Sequence, residues 1–128
     1  MSAIEFYYGE WEITEDFGYN GIHRTIEKDI YKVGETVLFS RECFKNESSI
    51  KITYPRITFE PITPASMVGV YKMTNPEKMG FIWDEQYIRA MVWDDNNGTP
   101  IAHTFYILND DVIIFEGDIH RYYKAIRK

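Results

Sequence analysis

The sequence predicts an all-β domain, an antiparallel up-and-down barrel of about eight strands with one short helix after the first strand. Composition is the first reason: aromatic residues make up 16% of the chain, with ten Tyr, and aromatic side chains favour strands. The second is a clean alternation of apolar and polar residues near the N-terminus. The third is the close spacing of turn sequences, which leaves no room for the crossovers of a parallel sheet. The 128 residues are predicted to form a single domain, residues 1–128.

The first strand is predicted from residue 7 onward. Its apolar face comprises Tyr7, Gly9, Trp11, Ile13 and Phe17. Charged residues occupy the other face, which we therefore expect to be the outer one. Residues 18–21 break the strand. Residues 25–33 then carry apolar residues at helical spacing before Gly34, and this pattern predicts the short helix.

The middle of the chain is predicted to form shorter strands. Residues 35–41 place Val37 and Phe39 on one face, and a polar turn follows at 45–49. The run 50–61 is strand-like but contains two prolines, which favours a bend or a sheet edge. Residues 63–80 are not assigned to one element: residues 67–73 are compatible with a strand or one helical turn, and the whole stretch with a lid, an edge strand or a dimer contact.

The C-terminal part is predicted to be a meander of short antiparallel strands. The strand-like runs are 86–93, 101–108, 112–116 and the segment from 119 to the end. Polar turns separate them, and Asn-Gly at 97–98 is a strong hairpin signal.

Charge and cysteine content exclude several classes of protein. With 14 basic and 20 acidic residues the formal net charge is −6, whereas nucleic acids and anionic membranes select basic surfaces. No apolar stretch approaches the roughly 18 residues of a membrane-spanning helix. Cys43 is the single cysteine, so no intrachain disulfide forms. The chain as given is expected to be cytoplasmic, and secretion or lipid anchoring would require a leader that has been removed.

Residues near the two ends of the chain resemble the signature of calycin barrels, the lipocalins and fatty-acid-binding proteins. These residues are Gly9 and Trp11 on the first strand and a basic residue, Arg121, Arg127 or Lys128, at the other end. In calycins the first and last strands are neighbours, and the cation packs over the indole. The resemblance implies the same arrangement here.

A broader likeness is to small lipocalin-like domains of bacteria of uncharacterised function. It rests on Gly9, Trp11, Ile13, Tyr19, Gly21, Gly34, the run 104–107, Asp110 and Asp111. None of these motifs is catalytic, so the resemblance implies a small barrel with, at most, a ligand-binding role. The chain is short for a secreted lipocalin and lacks the disulfide that many of them carry.

Arg121 and Tyr123 are expected to point inward from the last strand, because Lys124 on the alternate face should reach water. They resemble the Arg-x-Tyr pair with which fatty-acid-binding proteins hold a carboxylate, and a guanidinium fork with a hydroxyl matches that group. The favoured alternative is structural: Arg121 covers Trp11 or pairs with Glu15, since buried charges are usually paired within the protein.

The complete candidate ligand-binding set is Arg121, Tyr123, Trp11, Arg89 and Phe39. Arg89 belongs to it only if its face of the strand at 86–93 is the interior. We favour the outer face for Arg89, because arginines are mostly exposed, and this leaves Trp93 near the surface.

No catalytic residue, metal site or cofactor is predicted. His23, His103 and His120 lack the paired spacing of a zinc site. The carboxylates concentrate in turns or on the outer strand face, and no calcium-binding loop, phosphate-binding loop or nucleophile elbow occurs.

Two functional hypotheses follow. The preferred one is a non-enzymatic lipocalin-like barrel that binds a small hydrophobic or amphipathic ligand, such as a carboxylate. The alternative is a filled barrel that acts as a protein-interaction module of the inhibitor or immunity type. Its contact area would include the aromatic residues expected at the surface, Tyr8, Tyr19, Trp93 and Tyr122.

Overall fold

The computed structural model describes residues 3–19, 30–96, 98, 100–117 and 121–128. The strands are β1 (Gly9–Tyr19), β2 (Thr36–Phe39), β3 (Cys43–Lys45), β4 (Lys51–Thr53), β5 (Arg56–Ile62), β6 (Tyr87–Asp94), β7 (Ile101–Asn109), β8 (Val112–Glu116) and β9 (Arg121–Arg127). The helical segments are an N-terminal 3-10 helix (Ala3–Tyr7), the α-helix α1 (Pro64–Gly69) and a second 3-10 helix (Pro76–Met79).

All nine strands belong to one antiparallel sheet in the order β4-β3-β2-β1-β9-β8-β7-β6-β5. The sheet curls into a half-barrel, and β1 and β9 lie side by side as the calycin resemblance implies. The half-barrel is open between β4 and β5, which are consecutive in the chain but do not pair. The prediction of an all-β antiparallel fold is therefore confirmed.

Residues 25–29 of the helix predicted at 25–33 lie outside the described residues. Residues 30–34 form bends and a turn. The α-helix that the described part contains is α1, within the stretch that the sequence left unassigned. Its first turn is capped by Thr63, whose side chain accepts a hydrogen bond from the Ser66 N–H, and Pro64 follows at the first helical position.

The concave face of the sheet encloses an inner core that is filled by aromatic rings. Phe39, Phe44, Phe105 and Phe115 pack edge to face, with ring centroids 5.7 to 6.1 Å apart. Each of these rings is at most 1% exposed. Large rings at close-packed separations leave no room for a ligand at the centre of this core.

The convex face carries a second cluster, which we call the outer core. Its buried members are Ile62, Met67, Met73, Met79, Phe81, Tyr106, Ile114 and Tyr122. The segment between β5 and β6 covers this face, so β7, β8 and β9 are buried on both sides. The prediction that Tyr122 is a surface aromatic is therefore wrong, since the residue is fully buried.

A bulge in β1 changes which residues face inward. Ile13 lies opposite Ala125, but Glu15 then lies opposite Lys124 and Asp16 opposite Tyr123. One extra residue in a strand reverses the alternation beyond it. Asp16 thus joins the inner side, and Phe17, expected on the same face as Trp11, packs against the outer core.

Candidate functional site

Trp11 is covered by Arg127 at the closed junction of β1 and β9. The two residues lie opposite each other, and the guanidinium carbon is 4.6 Å from the centre of the indole ring. The indole Nε1 donates to the Tyr7 carbonyl at 2.9 Å, and Arg127 Nη2 donates to the Asp110 carbonyl at 2.7 Å. Arg127 therefore makes the cation–π contact with Trp11, and the expectation that Arg121 covers Trp11 is wrong, because Arg121 lies at the opposite end of β9.

Arg121 forms an ion pair with Asp16. Its Nη2 contacts Asp16 Oδ2 and its Nε lies 3.3 Å from Oδ1, which also accepts the Gly18 N–H at 2.7 Å. Burial opposes ionisation of Asp16, but the hydrogen bonds from Arg121 and Gly18 outweigh it and hold the pKa of Asp16 below its usual range. A ligand carboxylate at Arg121 would have to compete with this internal carboxylate.

Tyr123 and Phe39 are both part of the inner core, as their inward positions predicted. The Tyr123 ring is 1% exposed and meets the ring of Tyr31 edge on, with centroids 5.5 Å apart. Phe39 packs against Tyr8 at 4.9 Å. Tyr8 is consequently half-buried on the inner side and is not the surface aromatic that the sequence suggested.

Arg89 lies on the outer face, as expected, but it is not open to solvent. Its guanidinium carbon is 4.0 Å from the centre of the Tyr71 ring, and its Nη1 lies 3.6 Å from Glu60 Oε1. The side chain is only 12% exposed. Its Nε is buried without a hydrogen-bond partner. The guanidinium group therefore lies beneath Tyr71, in the segment between β5 and β6.

A buried polar cluster surrounds Arg89 on the same face. It comprises Arg89, Tyr106, Glu116 and Tyr122, and the Tyr122 hydroxyl lacks a hydrogen-bond partner. Burial raises the pKa of Glu116, an effect that Arg89 partly offsets. Burial also raises the pKa of Tyr106 and of Tyr122, and Glu116 adds to both shifts. Buried polar groups of this kind are commonly satisfied by ordered water.

One end of the half-barrel opens into an apolar cleft. It has a volume of about 340 Å³ and falls at the lower end of the usual range for small-molecule sites. Its lining residues are Ile4, Phe6, Tyr7, Phe59, Ile88, Ile107 and Asp110. They come from the N-terminal 3-10 helix, from β5, β6 and β7, and from the turn after β7.

The cleft is apolar with a single charged side chain at its rim. Phe6 is 49% and Phe59 is 51% exposed, so both offer apolar surface that a ligand would cover. Asp110 supplies a carboxylate. Burial raises the pKa of Tyr7, Asp110 adds to this shift, and Arg127 opposes it, so Tyr7 presents a neutral hydroxyl.

Glu35 is the most deeply buried carboxylate in the described part of the chain, and it has a structural role. It accepts hydrogen bonds from the N–H groups of Lys32 at 2.6 Å and Glu47 at 3.1 Å, and from Ser48 Oγ at 3.2 Å. Asn46 donates to it and accepts two N–H groups of the following turn. These bonds tie the segment before β2 to the turn between β3 and β4.

The structure does not bring the five sequence-predicted residues into one site. Trp11, Phe39 and Tyr123 are sealed in the inner core, Arg121 pairs with Asp16, and Arg89 lies on the other face of the sheet. The cleft residues were missed because most of them come from a 3-10 helix and strand ends, where periodicity carries no signal. The clearest indication of the cleft in the sequence was that the apolar residues Ile57 and Phe59 alternate with polar neighbours.

Other site types are not seen in the described residues. No three His, Cys, Asp or Glu side chains among them are grouped so as to hold a metal ion. His23 and His120 lie outside the described part. None of the described helices is long and apolar enough to cross a membrane.

Fold and cleft together define a curled antiparallel half-barrel with a filled core and an apolar cleft at one end. No family model matches the chain, and comparison with curated proteins and with solved structures likewise finds no match.

Proposed function

We propose that the protein is a non-enzymatic, lipocalin-like binding protein that holds a small hydrophobic or amphipathic ligand in the apolar cleft. The observation that carries the proposal is the pair of half-exposed rings, Phe6 and Phe59, which face a space of about 340 Å³ with a mostly aliphatic lining. Covering such apolar surface contributes about 25 cal/mol per Å².

The charge at the rim favours a neutral or hydrogen-bond-donating head group over a carboxylate. Asp110 is the charged lining residue. The nearby cation, Arg127, is already bonded to the Asp110 carbonyl and stacked on Trp11. A ligand hydroxyl or amine can donate to the Asp110 carboxylate, whereas a ligand carboxylate would be repelled by it. This ligand class differs from the carboxylate that the sequence resemblance implied.

The test is the binding of an uncharged apolar fluorophore, N-phenyl-1-naphthylamine, followed by competition with medium-chain alcohols, amines and carboxylates of matched length. We expect saturable binding, and Phe59→Ser should raise the dissociation constant about tenfold, because it removes one apolar wall. The matched control is Tyr54→Ser, which changes an exposed aromatic just before β5 that does not line the cleft.

Replacing the rim carboxylate tests the head-group preference separately. With Asp110→Asn, the carboxylate competitor should approach the alcohol in potency while fluorophore binding stays unchanged. Non-saturable fluorescence, or equal loss of binding in Phe59→Ser and Tyr54→Ser, would contradict the assignment of the cleft. A carboxylate that outcompetes the matched alcohol in the native protein would contradict the charge argument.

A further inference from the structure

The strand β5 has a free edge. It pairs with β6 on one side, and within the described ranges no strand pairs with it on the other. Its central residues are exposed, with Phe59 51% exposed. An unpaired row of main-chain N–H and C=O groups is a template for another strand.

Pro61 fixes which residues of β5 direct their main-chain groups toward the free edge. Pro61 lies opposite Ile88 of β6. Proline has no N–H and is accommodated in a sheet only where that position faces away from the neighbouring strand. Since the pattern alternates along an antiparallel strand, Ile57 and Phe59 also point their main-chain groups outward.

We propose that β5 pairs antiparallel with β5 of a second copy of this chain, across a two-fold axis at Thr58. In this register Ile57 faces Phe59 of the second copy, and each residue both donates and accepts a main-chain hydrogen bond. The pairing ends where Pro61 faces Pro55 of the second copy. Neither proline has an N–H, so no donor is left unpaired there.

Charge complementarity selects this partner and this register. Arg56 faces Glu60 of the second copy, and Glu60 faces Arg56 of the second copy, so two opposite-charge pairs form on the outer face. Both side chains are about half exposed. To reach across the junction, Arg56 must share or leave Asp95, and Glu60 must share or leave the Tyr71 hydroxyl. A shift of the register by two residues would place Arg56 opposite Thr58 or Ile62 and remove both pairs. Directly opposed opposite charges stabilise an antiparallel pair, and like charges destabilise it.

A charge-reversal mixing experiment tests the register. Sedimentation velocity of the native protein should show a concentration-dependent dimer. Arg56→Glu and Glu60→Arg should each weaken self-association about tenfold or more, because each places like charges opposite each other. An equimolar mixture of the two variants should regain the dimer, since one chain then presents two carboxylates and the other two guanidinium groups. A loss that arose from the intrachain partners, which are Asp95 for Arg56 and Tyr71 and Arg89 for Glu60, would not be reversed by mixing.

A cysteine at the two-fold axis gives an independent readout. Thr58→Cys is made in a Cys43→Ser background, and its oxidation to a covalent dimer is followed on non-reducing gels. Residues facing each other across the axis have Cβ atoms about 4.5–5.5 Å apart, within reach of a disulfide after small adjustment. The matched control is Thr53→Cys in the same Cys43→Ser background. Thr53 is an exposed residue of β4, the strand at the other edge of the sheet.

Circular dichroism is used to check that each variant is folded before its self-association is measured. The proposal is overturned if the native protein stays monomeric, if the mixture of charge variants stays monomeric, or if Thr58→Cys cross-links no faster than Thr53→Cys. Ligand binding by the cleft does not enter these measurements, so this proposal and the binding proposal can fail separately.

Discussion

Replacing Arg127 should destabilise the protein more than replacing Arg121, although both are arginines on β9. Arg127 packs over the rings of Trp11 and Phe6 at 4.6 and 4.8 Å, and its Nε and Nη2 both donate to the Asp110 carbonyl. A cation–π contact contributes about 0.5–2 kcal/mol. The hydrogen bonds from a charged donor add about 1 kcal/mol at a position that is one-quarter exposed. Arg127→Ala should therefore cost about 1.5–3 kcal/mol.

Arg121→Ala should cost about 1 kcal/mol, because its main interaction is a partly solvated ion pair with Asp16. The assay is urea unfolding at neutral pH, monitored by tryptophan fluorescence and far-UV circular dichroism, with the denaturant slope checked for constancy. Arg127→Lys keeps the cation but loses the planar fork, so it should fall between the native protein and the alanine variant. If Arg121→Ala costs as much as Arg127→Ala, or if Arg127→Ala costs less than about 0.5 kcal/mol, the assignment of Arg127 as the cation that stabilises the fold by covering Trp11 is refuted.

Four further substitutions probe the pH dependence of stability and a contact made by Gly80. Asp16→Asn should lower stability at neutral pH and match the native protein in acid. The folded pKa of Asp16 lies below its unfolded value, so the stabilisation by the Asp16 carboxylate disappears as pH falls through the folded pKa. Glu116→Gln should raise stability at neutral pH, because the folded pKa of Glu116 is raised and its ionisation as pH rises costs stability that the amide avoids. Thermal melting curves of the variant and the native protein should converge in acid. Gly80→Ala should cost more than about 1–2 kcal/mol in urea, since φ is +105° and the new Cβ would lie 2.9 Å from Leu108 Cδ2. Gly34→Ala, with φ +97° and open space around it, isolates the backbone contribution, and equal costs would count against the Leu108 contact.

The sheet could be predicted from the sequence because strand alternation and turn chemistry are local signals. Trp11 and Ile13 on one face, with glutamates on the other, place the inner side of β1 correctly. The bulge after Ile13 could not be predicted, since an extra residue leaves no trace in the composition of the strand. The carboxylate predicted to pair with Arg121, if it did not cover Trp11, was therefore Glu15, whereas Asp16 occupies the inward position beside Tyr123.

The outer core was harder to predict because it depends on distant parts of the chain. Tyr122 alternates with inward residues and was expected at the surface, yet methionines from residues 63–80 cover it. One local signal was available: the unbroken apolar run of β8, with Ile113 and Phe115 in the inner core and Ile114 in the outer core, is typical of a strand buried on both faces. The cleft draws on residues from both halves of the chain, and no short pattern predicts such a convergence.

The pairing of β1 with β9 has a consequence for how the chain folds during synthesis. The ladder joins residues more than a hundred positions apart, from Trp11 opposite Arg127 to Tyr19 opposite Arg121. At about 5–20 residues per second, a ribosome delivers β1 many seconds before its partner strand. Until β9 emerges, one edge of β1 stays unpaired and the Trp11 indole has no cation above it. Non-local pairings of this kind make folding slow, so nascent chains that stall before β9 should depend on chaperones to keep that edge from pairing wrongly.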